Sequence, residues 1–338
     1  LCLLSMATGT IITMSSFHWL LAWIGLELNT LAIIPLISKQ HHPRATEATT
    51  KYFLTQAAAS AMILFASTIN AWTTGTWDIT QLTDKSSHIL LTMALSMKLG
   101  LAPLHFWLPE VMQGTLMMTA LIVATWQKLA PMTLLYLTHN SINPTILIMM
   151  GMLSALTGGW AGLNQTQTRK IMAFSSIAHL GWMASILTMN PNLLLLNLIL
   201  YILMTIPMFL MLNLMSLKTI KDLSTTGSTS PHMSILLMVL LMSLGGLPPL
   251  TGFMPKWLIL QELSTHNLQI TATIMALSTL ISLFFYLRLA YVSTLTIHPT
   301  TTKTPYKWRF QPKPPTTPIT SLTLLSLTLL PMTPLFYL

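Results

Sequence analysis

Four ionisable side chains lie where an apolar chain has no ordinary use for them. Glu27 sits in "HWLLAWIGLELNTLAIIPLIS", Lys98 in "LTMALSMKLGLAPLHFWLPE" and Lys128 in "TALIVATWQKLAPMTLLYL"; Lys256 follows Pro255 in "GLPPLTGFMPK", nearer a helix end. A charge at bilayer depth costs roughly 2.5–3.5 kcal/mol on insertion scales. Glu27 is eight or more residues from either polar flank, too far to snorkel easily. An acid and three bases at depth have the chemistry of a proton relay. Burial disfavours an isolated ammonium and a nearby carboxylate restores it, so forming and breaking a pair loads and unloads a proton. Two charges about 4 Å apart at an effective dielectric near 20 interact by roughly 4 kcal/mol. A static ion pair that fixes helix packing uses the same residue types, and both roles stay open at this point. His105, and His179 in "IMAFSSIAHLGWM" beside Ser175 and Ser176, are secondary candidates for passing a proton near neutral pH. Both equally suit hydrogen-bonded interior histidines.

These residues need helices to hold them. Continuous apolar runs of about 20 residues read as spanning helices, whereas barrel strands would alternate over about ten. The chain reads as an all-α polytopic membrane protein of about eleven spans, centred near residues 8, 28, 62, 98, 125, 151, 180, 204, 244, 278 and 328. Polar or Pro-, Gly- and Asn-rich breaks separate them, the longest being "HPTTTKTPYKWRFQPKPPTTP". Twelve basic residues, Lys39, Arg44, Lys51, Arg169, Lys170, Lys218, Lys221, Arg288, Lys303, Lys307, Arg309 and Lys313, fall on one side, and only Lys85 on the other. The positive-inside rule then puts the N-terminus on the cytoplasmic or matrix side and the C-terminus on the opposite one. Glu47 and Lys51 have the i,i+4 spacing of a surface pair. Asp78, Asp84, Asp222 and Glu262 read as loop charges, and His41 and His42 as solvated loop residues.

An internal repeat marks the centre. "GLAPLHFWLPE" from Gly100 aligns without a gap to "GLPPLTGFMPK" from Gly246, with five identities in eleven positions. Proline removes a backbone donor and clashes with the preceding turn, so each helix should break there. Paired broken helices in the two halves of a chain point to a transport site. Five spans between the copies make the repeat an inverted one. The expected organisation is a single integral membrane domain over 1–338. It holds a first repeat over about 1–135, a second over about 140–290, a long loop over about 292–318 and a final helix over about 319–338.

Composition narrows the class. The 338 residues are 53% hydrophobic and 7% charged, with a mean hydropathy of +0.66, where soluble domains carry about 25% charge. A single cysteine, Cys2, excludes disulfides and cysteine-ligated iron–sulfur clusters within the chain. The net charge of +9 is spread over loops and helix ends, which is not a nucleic-acid footprint. Neither repeated histidine spacing for haem nor a G-x-G-x-x-G nucleotide loop is present. The 25 methionines suit either flexible packing or a mitochondrial codon table. The first residue is Leu, so a few preceding residues are expected.

Taken together, "WIGLELNTLAIIPL", "HHPRATEATTKYFLTQAAAS", "MKLGLAPLHFWLPEV", "ATWQKLAP", "GGWAGLNQTQTRKIMAFSSIAHLGWM" and "GGLPPLTGFMPKW" resemble the mitochondrially encoded, antiporter-like membrane subunits of respiratory NADH:ubiquinone oxidoreductase (complex I). The resemblance covers essentially the whole chain. It implies inverted five-helix repeats and a proton relay of Glu27 paired with Lys98, then Lys128, then Lys256, with His105 and His179 at the family's recurrent histidine positions. It also implies residence in the mitochondrial inner membrane, partners among the membrane-arm and accessory subunits and lipids, and no cofactor in this chain. Bacterial relatives have fourteen helices, and the first three are missing here, which leaves a face for other subunits to cover. A subunit of a cation/proton antiporter complex would share these motifs. A structural spacer with inert charges is the non-transport alternative.

Overall fold

The structure, a computed structural model, describes residues 1–295 and 317–332. Among these residues the elements are helical: α1 (Cys2–Ser15), α2 (Trp19–Ser38), α3 (Pro43–Thr74), α4 (Lys85–Leu99), α5 (Trp107–Gly114), α6 (Met117–Ala124), α7 (Trp126–Leu137), α8 (Pro144–Gly162), α9 (Thr168–Ile186), α10 (Pro191–Leu214), α11 (Ile220–Ser224), α12 (Thr226–Thr229), α13 (Pro231–Gly245), α14 (Phe253–Thr265), α15 (Gln269–Ser293) and α16 (Thr317–Thr328). Six stretches are long and apolar enough to cross a bilayer: α2, α3, α6 with α7, α8, α10 and α15. Of the remaining described helices, α9 matches α8 at 19 residues but is less apolar, and the others are shorter. Most of the long loop, including Lys303, Lys307, Arg309 and Lys313, lies outside the described residues.

Two compact units share α8 and α9: one holds residues 1–155 and 180–191, the other 156–179 and 192–338. In the first, α1 and α2 cross in backbone contact. A Cβ at Gly25 would stand 2.5 Å from Thr13 Cγ2 and 2.8 Å from the Gly9 carbonyl oxygen, the close approach that small residues permit between membrane helices. Helix α3 packs on α2, α4 and α5. Its 32 residues span about 48 Å at 1.5 Å per residue, well beyond the roughly 30 Å hydrocarbon core. The excess is its polar first turns, where Lys51 meets Glu47 at 2.5 Å and Glu110 of α5 at 2.7 Å. In the second unit α15 packs against α11, α13 and α14, and Arg288 donates to the Leu163 carbonyl at 3.0 Å.

Polar side chains set the helix ends. The His42 ring accepts from the Arg44 amide to cap α3, and Asp84 caps α4 by accepting from Ser87. The Asp84 carboxyl is held below its ordinary range, chiefly by the Ser86 hydroxyl that donates to it. Two charges expected in loops are placed differently. Asp222 forms a capping box with Thr219 at the start of α11, and Glu262 lies within α14.

The two Gly/Pro segments interrupt their helices as expected, and in matching ways. Helix α4 stops at Gly100 (φ +79°) and α13 at Gly246 (φ +80°), both left-handed; α5 and α14 begin seven residues later, at Trp107 and Phe253. Gly246 also makes room for a neighbour, since a Cβ there would sit 2.9 Å from Lys256 Nζ. Gly75, which ends α3 at φ +73°, has nothing within 4 Å of its missing Cβ. Gly75→Ala should therefore cost only the left-handed backbone penalty, about 1–2 kcal/mol, while Gly246→Ala should lower the thermal midpoint of the detergent-solubilised protein further. Equal midpoints would refute the packing argument.

Candidate functional site

Lys98 occupies the last turn of α4, where the helix carries its partial negative charge. It is 5% exposed, and its ammonium has no hydrogen-bond partner among the described residues. Glu27, on α2, is half-buried, and its Oε2 is likewise buried without a partner. No ion pair of 4.0 Å or less joins the two among the described residues. The carboxylate nevertheless acts electrostatically on both Lys98 and the Tyr52 hydroxyl. The expected pair is thus a shared buried neighbourhood and not a contact.

The immediate surroundings of Lys98 are neutral and polar. A small cavity beside it is lined by Asn29, Thr30, Tyr52, Gln56 and Gln127, with Leu26, Trp107, Ala130 and Pro131 as its apolar walls. The Gln56 amide donates to the Lys98 carbonyl at 3.5 Å, and the Trp107 indole donates to the Met97 carbonyl at 3.0 Å. The Tyr52 hydroxyl reaches Gln127 Oε1 at 3.5 Å, and Gln127 Nε2 donates to the Asn29 carbonyl at 3.3 Å. These glutamines and this asparagine were not singled out from the sequence. The only available signal was adjacency: Asn29 lies two residues after Glu27, and Gln127 directly precedes Lys128.

Lys128 is 4% exposed and follows a second interruption. Helix α6 ends at Ala124, Thr125 departs to φ −115°, ψ −67°, and α7 restarts at Trp126. The Lys128 amide donates to the Thr125 carbonyl at 3.3 Å. Glu27, Lys98, Lys128 and His105 all belong to the first unit. His105 is buried in the turn between α4 and α5, its ring 4.4 Å from that of Phe106.

In the second unit Lys256 is 8% exposed and donates from Nζ to the Gly245 carbonyl at 2.8 Å. That carbonyl is available because the last acceptors of a helix have no partner within it. His179 is buried against Tyr201, ring centroids 5.4 Å apart. Ser175 and Ser176 are buried on the same helix, with their hydroxyls donating to Met172 and Ala173 carbonyls. Among the described residues no three His, Cys, Asp or Glu side chains converge as a metal-ligand set.

Comparison with known proteins places this arrangement. The family model described as NADH:quinone oxidoreductase/Mrp antiporter, transmembrane, matches residues 16–282, and that described as NADH dehydrogenase subunit 2 C-terminus matches 283–337. NADH-ubiquinone oxidoreductase chain 2 of Varanus melinus is 58% identical over 330 residues, 98% of this chain and 96% of the relative. That of Sibirionetta formosa is 56% identical over 334 residues, 99% and 96%. Among solved structures, a chain of respiratory complex I from Thermus thermophilus with bound aureothin superposes with a TM-score of 0.88 at 29% identity, over 97% of this chain and 76% of that one. A chain of the Mrp complex from Dietzia shares the fold, with a TM-score of 0.86 at 16% identity over 99% and 75%. The chain belongs to the NADH-ubiquinone oxidoreductase chain 2 family, the antiporter-like membrane subunits of proton-translocating NADH:quinone oxidoreductase.

Proposed function

We propose that this subunit of respiratory complex I moves protons through Glu27, Lys98, Lys128 and Lys256, with His105 and His179 as auxiliary carriers. Membership in the family makes the chain a proton-translocating membrane subunit of the NADH:ubiquinone reductase, assembled with the other subunits of that complex. By that family it resides in the mitochondrial inner membrane. Electron transfer belongs to other subunits, and this chain requires no cofactor of its own. The observation that carries the residue assignment is the burial of three lysines, at 5%, 4% and 8% exposure, in a chain with only 7% charged residues. Ionisable groups retained inside a membrane protein mark ion and proton pathways.

Glu27 and Lys98 couple the relay to its drive. Moving the carboxylate relative to the ammonium changes the free energy of holding a proton at Lys98. The contact value of about 4 kcal/mol is the ceiling for that change. Carrying one charge against 100 mV requires about 2.3 kcal/mol, so a partial change suffices. The proton then passes to Lys128 and on to Lys256, which exchanges with one aqueous side.

The same reading extends to topology. We place the N-terminus in the matrix and the C-terminus in the intermembrane space, with eleven spans in two inverted five-helix repeats. The constant offset of 146 between the interruptions, Gly100 to Gly246 and Trp107 to Phe253, supports the repeat. The Mrp likeness favours cation/proton antiport as the alternative, at the level of fold. Sodium-dependent flux in vesicles without NADH would establish it.

In assembled complex, Lys98→Met and Glu27→Gln are each expected to lower the proton-to-electron ratio, measured by vesicle acidification against NADH oxidation. A normal ratio in assembled Lys98→Met complex would overturn the relay. Lys256→Met should lower the ratio as well, because it removes the terminal exchanger; an unchanged ratio there would remove Lys256 from the path alone.

A further inference from the structure

We infer that the ion pair between Lys51 of α3 and Glu110 of α5 positions the relay: it seats α5 so that Trp107 holds the end of α4 on which Lys98 stands. The proposal deepens the relay reading and rests on it. Lys51 and Glu110 carry no proton themselves; they act through Trp107.

Helix α3 makes successive contacts along α5 and on to α4. Ala48 and the Arg44 carbonyl lie against Gly114, the last residue of α5, where a Cβ would stand 2.6 Å from each. Lys51 Nζ bonds Glu110 Oε2 at 2.7 Å in the middle of α5. Tyr52 packs edge-on to Trp107, the first residue of α5, with ring centroids 5.8 Å apart. The Gln56 amide then donates to the Lys98 carbonyl at 3.5 Å. Ala48, Tyr52 and Gln56 are spaced i,i+4 and share one helix face. Of these four contacts only the one at Lys51 is ionic. A charge-assisted hydrogen bond has a preferred distance and direction, which apolar contacts lack.

Trp107 turns the seating of α5 into an effect on the relay. With 8 residues, α5 is too short to hold its place without packing, and α3 is its main support. The Trp107 indole donates to the Met97 carbonyl at 3.0 Å, one residue before Lys98. Sliding α5 along α3 takes that donor off the last turn of α4. The turn then relaxes, and Lys98 changes its distance from the Glu27 carboxylate, on which their interaction depends.

Magnitude argues against a purely stabilising role. The Lys51 and Glu110 side chains are 41% and 52% exposed, and exposed ion pairs add little stability. Lys51 already has a carboxylate on its own helix, Glu47 at 2.5 Å, so Glu110 adds registration between helices. The second copy of the repeat agrees. There Phe253 stands in the place of Trp107 and Lys256 in the place of Glu110, so the indole and its ionic tie occur together in one copy and are both missing from the other.

The test is the proton-to-electron ratio of the assembled complex in vesicles for Lys51→Met, Glu110→Ala, the charge exchange Lys51→Glu with Glu110→Lys, and Glu47→Gln, together with cryo-EM of the intact Glu110→Ala complex. Each single change at the tie should lower the ratio, and the exchange should restore it. Glu47→Gln, which leaves Lys51 to Glu110 alone, should keep it normal. The Glu110→Ala map should show the Trp107 indole beyond hydrogen-bonding distance of the Met97 carbonyl. A normal ratio in either single variant, whatever its effect on yield or thermal midpoint, would overturn the proposal. So would an unmoved indole, an exchange that fails to restore the ratio, or an equal loss in Glu47→Gln. A lowered ratio in Lys98→Met beside normal ones in Lys51→Met and Glu110→Ala defeats this inference alone, whereas a normal ratio in Lys98→Met defeats the relay beneath it. If a single variant fails to assemble, Glu110→Asp keeps the charge but withdraws it by one methylene, and the same ratio and map decide the matter.

Discussion

An ammonium taken out of water must find another source of negative potential, and most of what is distinctive in this chain serves that need. Two of the three buried lysines are associated with the C-terminal end of an interrupted helix. Lys98 lies in the last turn of α4, and Lys256 donates to the Gly245 carbonyl at the end of α13. A helix C-terminus carries roughly half a negative charge and several carbonyls without partners. Breaking a helix within an apolar segment therefore creates an acceptor site for a cation at a depth where none would otherwise exist. At these two breaks the interruption and the charge complement each other.

The break must also satisfy the backbone it frees. A left-handed glycine closes each half-helix, with the Gly100 amide donating to Ser96 and the Gly246 amide to Met242 and Ser243. Near the first break the Trp107 indole takes up the Met97 carbonyl, and near the second Lys256 takes up Gly245. A neutral donor and a charged donor thus do similar structural work in the two copies. The neutral solution leaves the Lys98 side chain to its own surroundings, which are carboxamides, a phenol and a carboxylate acting at a distance.

Much of this was legible in the sequence because rare residues announce themselves. Gly and Pro within an apolar run gave both interruptions, and lysines in a chain with few charges gave the buried cations. The interruption at Thr125 was not legible, because threonine is compatible with a helix. The ring of Asn29, Gln56 and Gln127 was also missed, since neutral amides carry no net charge to flag them and sequence separation gives no distance. Glu27 and Lys98 show the same limit, being rightly matched in region but not in contact. Charge alone reads Glu262 and Asp222 as loop residues, whereas helical context puts Glu262 within α14 and Asp222 in the capping box of α11.

The repeat carries a further lesson in the residue that closes each copy. Glu110 and Lys256 hold the same place in "GLAPLHFWLPE" and "GLPPLTGFMPK", yet Glu110 has a side chain 52% exposed and bonds Lys51 on a neighbouring helix, while Lys256 is interior. In one copy that place carries a surface ion pair; in the other it carries a buried ammonium bonded to a helix-end carbonyl. Opposite charges at one matching place thus meet different ends: the carboxylate ties α5 to α3 at the surface, and the ammonium closes the carbonyl end of α13.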